Sequence, residues 1–139
     1  MDFKTLQATD FATYKPYFDH QRYRLCDYSL ASIIAWQNTH YHPLVAVHDS
    51  FLVVAAEFAT DNDQRHLMLP IAPDGEMPPG RLAELVARAG HSKVWFVPRC
   101  YLDTYGEDRV GQFFTIERDR ELDDYIYRRE DLAELAGGK

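Results

Sequence analysis

Arginines alternate with tyrosines early in the chain, and these residues have the clearest chemical potential. The cluster contains Arg22, Tyr23, Arg24 and Tyr28, and a further tyrosine, Tyr101, lies late in the sequence. A guanidinium group can hold a carboxylate or a phosphate through parallel hydrogen bonds, and tyrosine adds an aromatic face and a hydroxyl group. We therefore take Arg22, Arg24, Tyr28 and Tyr101 as candidate substrate-binding residues.

A structural interpretation of the same arginines stays open. Asp27 lies close to them in sequence, and acidic residues recur between Asp119 and Asp124. If the arginines pair with these carboxylates, they stabilise the fold and bind no ligand. Of the two interpretations, the sequence favours the ion pairs.

The histidines and serines predict no catalytic or metal centre. His40 and His42 could supply two metal ligands, but no third ligand follows at a recognisable spacing. With His48 and His66, we interpret them as loop or sheet-edge histidines. Asp61-Asn62-Asp63 lacks the continuation of a calcium loop, and a turn explains it. No serine has a recognisable histidine and acid partner pattern, so we predict no catalytic residue.

Length and composition limit the class of protein. The 139 residues, 46% of them apolar, suit one compact α+β domain with a substantial core. A net charge of −7 makes the domain a poor candidate for binding a phosphate backbone. No apolar run approaches the ~20 residues that span a bilayer. Cys26 and Cys100 lack metal or redox spacing, so we expect thiols in a reducing cytoplasm.

The first part of the sequence predicts a strand and two helices. Phe3–Leu6 is a candidate edge strand, and Pro16 should kink or end the helix that follows. Asp27 is a candidate N-cap of the second helix, in which Leu30 and Ile33 follow helical spacing. Trp36, at the margin of this helix, and Trp95 are expected in the core, and Pro43 should close the helix.

The rest of the sequence predicts a sheet with covering helices. Short polar turns indicate an antiparallel meander, and an apolar middle strand should be covered on both faces. The predicted elements are strands Leu44–Val47, Phe51–Phe58 and Leu67–Ile71, a helix from Leu82 to Ala89 capped by Gly90, a strand Val94–Val97, a helical turn Tyr101–Tyr105, a hairpin of Phe113–Glu117 with Asp124–Arg128, and a helix Glu130–Ala136.

Two segments resemble the signatures of a known family. Tyr23–Ser29 followed by Trp36, and the run from Asp123 to Lys139, are similar to a bacterial family of unknown function. That family is related to the C-terminal, catalytic domain of phosphatidylglycerol lysyltransferase. Its members carry two acetyltransferase-like (GNAT-like) halves in tandem. By this resemblance, residues 1–136 form the N-terminal GNAT-like domain, an α+β fold with a mixed sheet flanked by helices. Residues 137–139 begin a linker to a second half.

The resemblance implies a reaction and its partners. Similar enzymes move an aminoacyl group from tRNA to an acceptor amine or hydroxyl, such as a lipid, between the two halves. We expect this half to have structural and cleft-forming roles, with the reactive groups in the second half, which would also meet the aminoacyl-tRNA. No membrane span is expected. Leu132 and Leu135 give the last predicted helix an apolar stripe that a homodimer could bury.

The turn from Ile71 to Gly80 predicts that this half uses no cofactor. Acetyltransferases wrap the pyrophosphate of coenzyme A with backbone amides at this point, at a helix N-terminus. Here the turn has two acids and three prolines, and its first basic residue is Arg81. Prolines lack the amide donors that a pyrophosphate needs.

Other functions remain open. A stand-alone acyl-CoA N-acetyltransferase would have to bind coenzyme A in spite of this turn. A non-catalytic interaction module would form a stable dimer and would show no response to small molecules on melting.

Overall fold

The computed structural model describes residues 1–122, and the predicted strand Asp124–Arg128, the predicted helix Glu130–Ala136 and the linker lie outside them. The helices are α1 (Phe11–Asp19), α2 (Leu30–Ala35), α3 (Pro79–Ala89), α4 (Arg99–Tyr105) and α5 (Glu107–Val110). The strands are β1 (Lys4–Thr5), β2 (Tyr41–His48), β3 (Phe51–Phe58) and β4 (His66–Leu67). Single 3-10 turns lie at Ala8–Asp10, Cys26–Tyr28, Asn62–Gln64 and Arg120–Leu122.

The described residues form an α+β domain whose four strands make an antiparallel meander. Among these residues, the parallel pairing that a mixed sheet needs is present only as an isolated bridge between Leu67 and Val94. The four-stranded sheet has the order β1-β2-β3-β4, and each neighbouring pair is antiparallel. The predicted meander and the edge position of the first strand are confirmed. The predicted strand Leu67–Ile71 is shorter than expected, although Ile71 still makes an isolated antiparallel bridge to Leu52.

Strand β3 is the centre of the core. Every residue from Leu52 to Ala56 is at most 2% exposed. Because consecutive strand residues point to opposite faces, burial of all of them means that both faces of the sheet are covered, as predicted. A two-residue turn, Asp49 (φ 48°) and Ser50 (φ 68°), joins β2 to β3. Positive φ at both turn positions matches the right-handed twist of a hairpin.

Helix α3 agrees with its sequence pattern. Leu82, Leu85 and Val86 are buried on one face, and they belong to the same core as β3. Gly90 ends the helix in the left-handed conformation, with φ 72°, where glycine carries no Cβ penalty.

Pro16 does not end the first helix, because α1 continues to Asp19. That part of the prediction is wrong. A proline inside a helix removes the hydrogen bond to the carbonyl group four residues earlier, here that of Ala12. Both Ala12 and Pro16 are exposed, so the missing hydrogen bond lies on the solvent side of the helix.

The cap predicted for the second helix is also wrong. The hydroxyl oxygen of Ser29 accepts a hydrogen bond from the amide of Ser32 at 3.4 Å, which makes Ser29 the N-cap of α2. Asp27 lies in the preceding 3-10 turn. Helix α2 ends at Ala35, well before Pro43, which lies in β2 instead of closing the helix.

Val94–Val97 does not form the predicted strand. Val94 makes one parallel bridge to Leu67, and the extended backbone then breaks at Phe96, whose φ is +58°. A bulky residue with positive φ cannot continue a strand. The first half of the last predicted hairpin, Phe113–Glu117, is turn and irregular structure.

The prediction that both tryptophans lie in the core is wrong for Trp36, which is 74% exposed. Trp95 is half-buried. Trp36 is the C-cap of α2 and follows the last helical residue. The short helix therefore ends before its buried face can include this side chain.

The buried face of α2 predicts a mutational cost. Ile33 is 4% exposed, so Ile33→Ala should lower the free energy of unfolding by about 2–5 kcal/mol, the usual cost of deleting a buried isoleucine side chain. Ile116, at 41% exposure, is the matched control. Ile116→Ala should change the free energy of unfolding by less than about 0.5 kcal/mol. Urea unfolding measures both. Equal effects would mean that α2 does not pack as described.

The β2–β3 turn predicts a stabilising substitution. Ser50 has φ +68°, which costs a residue with a Cβ atom roughly 1–2 kcal/mol. Ser50→Gly should therefore raise the free energy of unfolding by about 1 kcal/mol. Ser92 is exposed and lies outside the left-handed region, so Ser92→Gly should give no gain. A loss of stability on Ser50→Gly would contradict the turn geometry.

Candidate functional site

A buried carboxylate lies at the centre of the most unusual polar cluster. Nη1 of Arg22 donates to Oε2 of Glu76 at 3.3 Å. The Glu76 side chain is 4% exposed, whereas that of Arg22 is 59% exposed. The second carboxylate oxygen, Oε1, is buried and has no hydrogen-bond partner among the residues that the structure describes. A buried acceptor without a donor is costly, so this atom needs an explanation.

Tyrosines from α4 hold the backbone around Glu76. The hydroxyl group of Tyr101 donates to the carbonyl oxygen of Met77 at 2.9 Å. The hydroxyl group of Tyr105 donates to the carbonyl oxygen of Glu76 itself at 3.3 Å. Their ring centroids are 4.9 Å apart. Because both protons go to backbone carbonyls, neither hydroxyl group donates to the Glu76 carboxylate.

A second pair of tyrosines completes the cluster. The rings of Tyr23 and Tyr28 meet edge to face, with centroids 4.8 Å apart. The Tyr28 hydroxyl group accepts a hydrogen bond from the amide of Leu69 at 3.1 Å. This hydrogen bond connects the segment before α2 with the segment that follows β4.

Burial sets the protonation of these tyrosines. It raises the pKa of Tyr23, Tyr28 and Tyr101 well above the usual range, and the negative charge of Glu76 raises the pKa of Tyr23 and Tyr101 further. Burial, followed by the charge of Glu76, also raises the pKa of Tyr105. The phenols therefore stay neutral at physiological pH and cannot act as general bases.

The structure brings some of the predicted site residues together and leaves one apart. Arg22 and Tyr101 lie around the Glu76 loop, and Tyr28 joins them through Tyr23. Arg24 is exposed and makes no ion pair within residues 1–122.

The ion pair that the described residues show for Arg22 was not predicted. Its partner there is Glu76, while Asp123 and Asp124 lie outside the described residues. Sequence reasoning missed Glu76. Its one visible signal was an acidic residue beside Met77 in the proline-rich turn.

The N-terminus of α3 is unsuited to a pyrophosphate. Pro78 is its N-cap and Pro79 its first residue, so two amide donors are missing at the point where an anion would bind. The ring of Phe113 lies against Gly80, so that a Cβ atom there would come within 3.3 Å of Cζ. Arg81 pairs with Asp49 at 3.1 Å.

A second charged group pairs a carboxylate with a histidine ring. Oε1 of Glu57 is 3.1 Å from Nε2 of His91, and Nδ1 of His91 is 3.0 Å from the carbonyl oxygen of Ala89. Each ring nitrogen of His91 therefore faces an oxygen atom of the protein. Burial would raise the pKa of Glu57, but the hydrogen bonds and charges of Arg65 and His91 outweigh it and hold the pKa below its usual range.

His66 is buried beside this group. Its Nδ1 is 2.6 Å from the carbonyl oxygen of Gln64, and its ring stacks on Trp95 with centroids 4.5 Å apart. Burial lowers the pKa of His66. In the described part of the chain, no three histidine, cysteine or acidic side chains are placed to hold a metal ion. Neither Cys26 nor Cys100 forms a disulfide within the described residues.

Comparisons with known proteins give no match among protein families, curated proteins or solved structures. Among residues 1–122, no helix is both long enough and apolar enough to cross a membrane. The family resemblance of the sequence therefore stays a prediction.

His66 predicts a pH-dependent stability. Its pKa is lowered in the folded state, and the unfolded value is about 6.5, so between the two values the unfolded chain binds more protons. The stability contribution is fully present above about pH 7 and is lost as the pH falls below about 6.5 through the folded-state pKa. Urea unfolding between about pH 7 and 5 should show a slope of at most about 1.4 kcal/mol per pH unit from this group.

Substitution of His66 should remove that part of the slope. His66→Gln should flatten the pH dependence, and His20→Gln, at an exposed position, should leave it unchanged. A slope that His66→Gln does not alter would contradict the assignment to His66.

Proposed function

We propose that this chain is the non-catalytic, N-terminal half of a tandem GNAT-like protein that resembles aminoacyl-tRNA-dependent phosphatidylglycerol lysyltransferase. In this proposal the whole protein transfers an aminoacyl group to a lipid or another acceptor, and this half shapes the cleft that holds a substrate. The partner is a second GNAT-like half, which meets the aminoacyl-tRNA. Cys26 and Cys100, which form no disulfide within the described residues, suit a reducing cytoplasm.

The order and class of the elements support the GNAT-like part of the proposal. An edge strand is followed by two helices, an antiparallel meander and then α3. The GNAT-like order has the same beginning, and its cofactor turn lies between the fourth strand and the third helix.

The single observation that carries the functional part is the chemistry of this turn. Pro78 and Pro79 remove amide donors, Phe113 covers Gly80, and the buried Glu76 carboxylate adds a negative charge. A pyrophosphate would meet few donors and an electrostatic repulsion. These features argue against acyl-CoA chemistry in this half and favour a role without coenzyme A.

Glu76 and its neighbours support a role in binding. Polar side chains that are buried and imperfectly paired are typical of functional sites. Arg22 and Tyr105 reach solvent while contacting the Glu76 residue, so the cluster connects the interior with the surface. In the proposed protein, this surface would contribute to the cleft.

An interaction module is a second candidate, and exposed apolar side chains favour it. Trp36 is 74% exposed and Val47 is 53% exposed. Large exposed apolar groups occur at protein interfaces. Light scattering on the chain and on Trp36→Ser separates the two candidates. A dimer that Trp36→Ser dissociates would favour the interaction module.

The proposal predicts no binding of coenzyme A. Acetyl-CoA at millimolar concentration should leave the melting temperature unchanged, because the α3 N-terminus offers too few donors. A ligand at about 100 times its Kd would add roughly 2.7 kcal/mol of stability, which a thermal melt detects as a shift of several degrees. A saturable shift of that size would overturn the proposal in favour of a stand-alone acyl-CoA N-acetyltransferase.

A further inference from the structure

One carboxylate oxygen of Glu76 lacks a hydrogen-bond donor among the described residues. Oε1 is buried and receives no hydrogen bond from any residue that the structure describes. Oε2 has one donor, Nη1 of Arg22, at the long distance of 3.3 Å. A carboxylate can accept several hydrogen bonds, so most of the capacity of this buried group is unused.

Two of the tyrosine hydroxyl groups near Glu76 donate to other atoms. The hydroxyl protons of Tyr101 and Tyr105 are engaged with the carbonyl oxygens of Met77 and Glu76. Their phenol oxygens keep lone pairs that can still accept. A neutral acceptor or an anion gains nothing here. A primary ammonium group, with several donors and a positive charge, complements a carboxylate that has unused acceptor capacity.

The outer side of the same cluster carries the opposite charge. Arg22 is 59% exposed and uses only one of its nitrogens on Glu76. Cζ of Arg109 lies 5.9 Å from the centre of the Tyr105 ring. Arg109 is exposed and forms no ion pair within the described residues. These guanidinium groups would repel a simple cation but would attract a carboxylate.

We infer that the cluster of Arg22, Glu76, Tyr105 and Arg109, the zwitterion cluster, binds a small molecule that carries a primary ammonium and a carboxylate close together. The ammonium donates to Oε1 of Glu76, and the carboxylate meets Arg22 and Arg109. An α-amino acid fits this pattern because one carbon atom bears both groups.

This inference rests on the proposed function only in giving this half a ligand-holding role. Binding of acetyl-CoA would overturn the proposed function, but it would have no bearing on whether the zwitterion cluster binds amino acids. If amino acids fail to bind, the inference about the zwitterion cluster is wrong, and the proposed function is unaffected.

The test is a thermal-shift screen of the protein amino acids, each at about 10 mM in a buffer free of amines. At least one should raise the melting temperature of the unaltered chain by several degrees. Its N-acetyl derivative, which lacks the ammonium group, and its methyl ester, which lacks the carboxylate, should each bind at least about tenfold more weakly by calorimetry. If no amino acid raises the melting temperature, or if the methyl ester binds as well as the amino acid, the inference is wrong.

Substitutions locate the site. Glu76→Gln should weaken binding of the best amino acid by at least about tenfold, while Glu84→Gln, at an exposed position on α3, should bind as the unaltered chain does. Arg22→Met and Arg109→Met provide a second measurement if Glu76→Gln does not fold, and each should also weaken binding. Full affinity in Glu76→Gln, or in both arginine variants, would place the ligand elsewhere and overturn the inference.

Discussion

The ion pair between Arg22 and Glu76 joins two loops that are 54 residues apart in sequence. One loop leads from α1 toward α2, and the other leads from β4 into α3. A carboxylate at 4% exposure is stabilised in the folded state only if it is paired or hydrogen-bonded. Tyr101 and Tyr105 then fix the backbone of the second loop from α4. The arrangement of these segments therefore depends on one buried charge.

In the site that we infer, the same charge selects the ligand. A helix N-terminus ordinarily attracts anions through its free amides and its dipole. At α3, prolines remove amides and Glu76 contributes a negative charge close to the helix start. The local preference therefore changes from phosphate toward cationic donors. The exposed Arg22 and Arg109 add positive charge outside this centre, so that the two signs lie next to each other.

The sequence predicted the regular elements better than the site. Periodic apolar patterns identified β3 and α3, because core contacts repeat along such elements. The strand at Val94–Val97 failed because Phe96 adopts a positive φ, which no local pattern indicated. Arg22, Tyr28 and Tyr101 could be picked out as candidates by residue type. Glu76 could not, because its burial depends on segments that only the folded chain brings together.

A double-mutant cycle on Arg22 and Glu76 tests the central claim most directly. Arg22→Met keeps the apolar stem and removes the charge, and Glu76→Gln keeps the shape of the carboxylate. Urea unfolding of both single variants and the double variant gives the coupling free energy. If the buried carboxylate depends on Arg22, the coupling exceeds about 1 kcal/mol, and Arg22→Met destabilises the unaltered chain more than it destabilises Glu76→Gln. Additive effects, within about 0.3 kcal/mol, would show that the two side chains act independently and would contradict the claim.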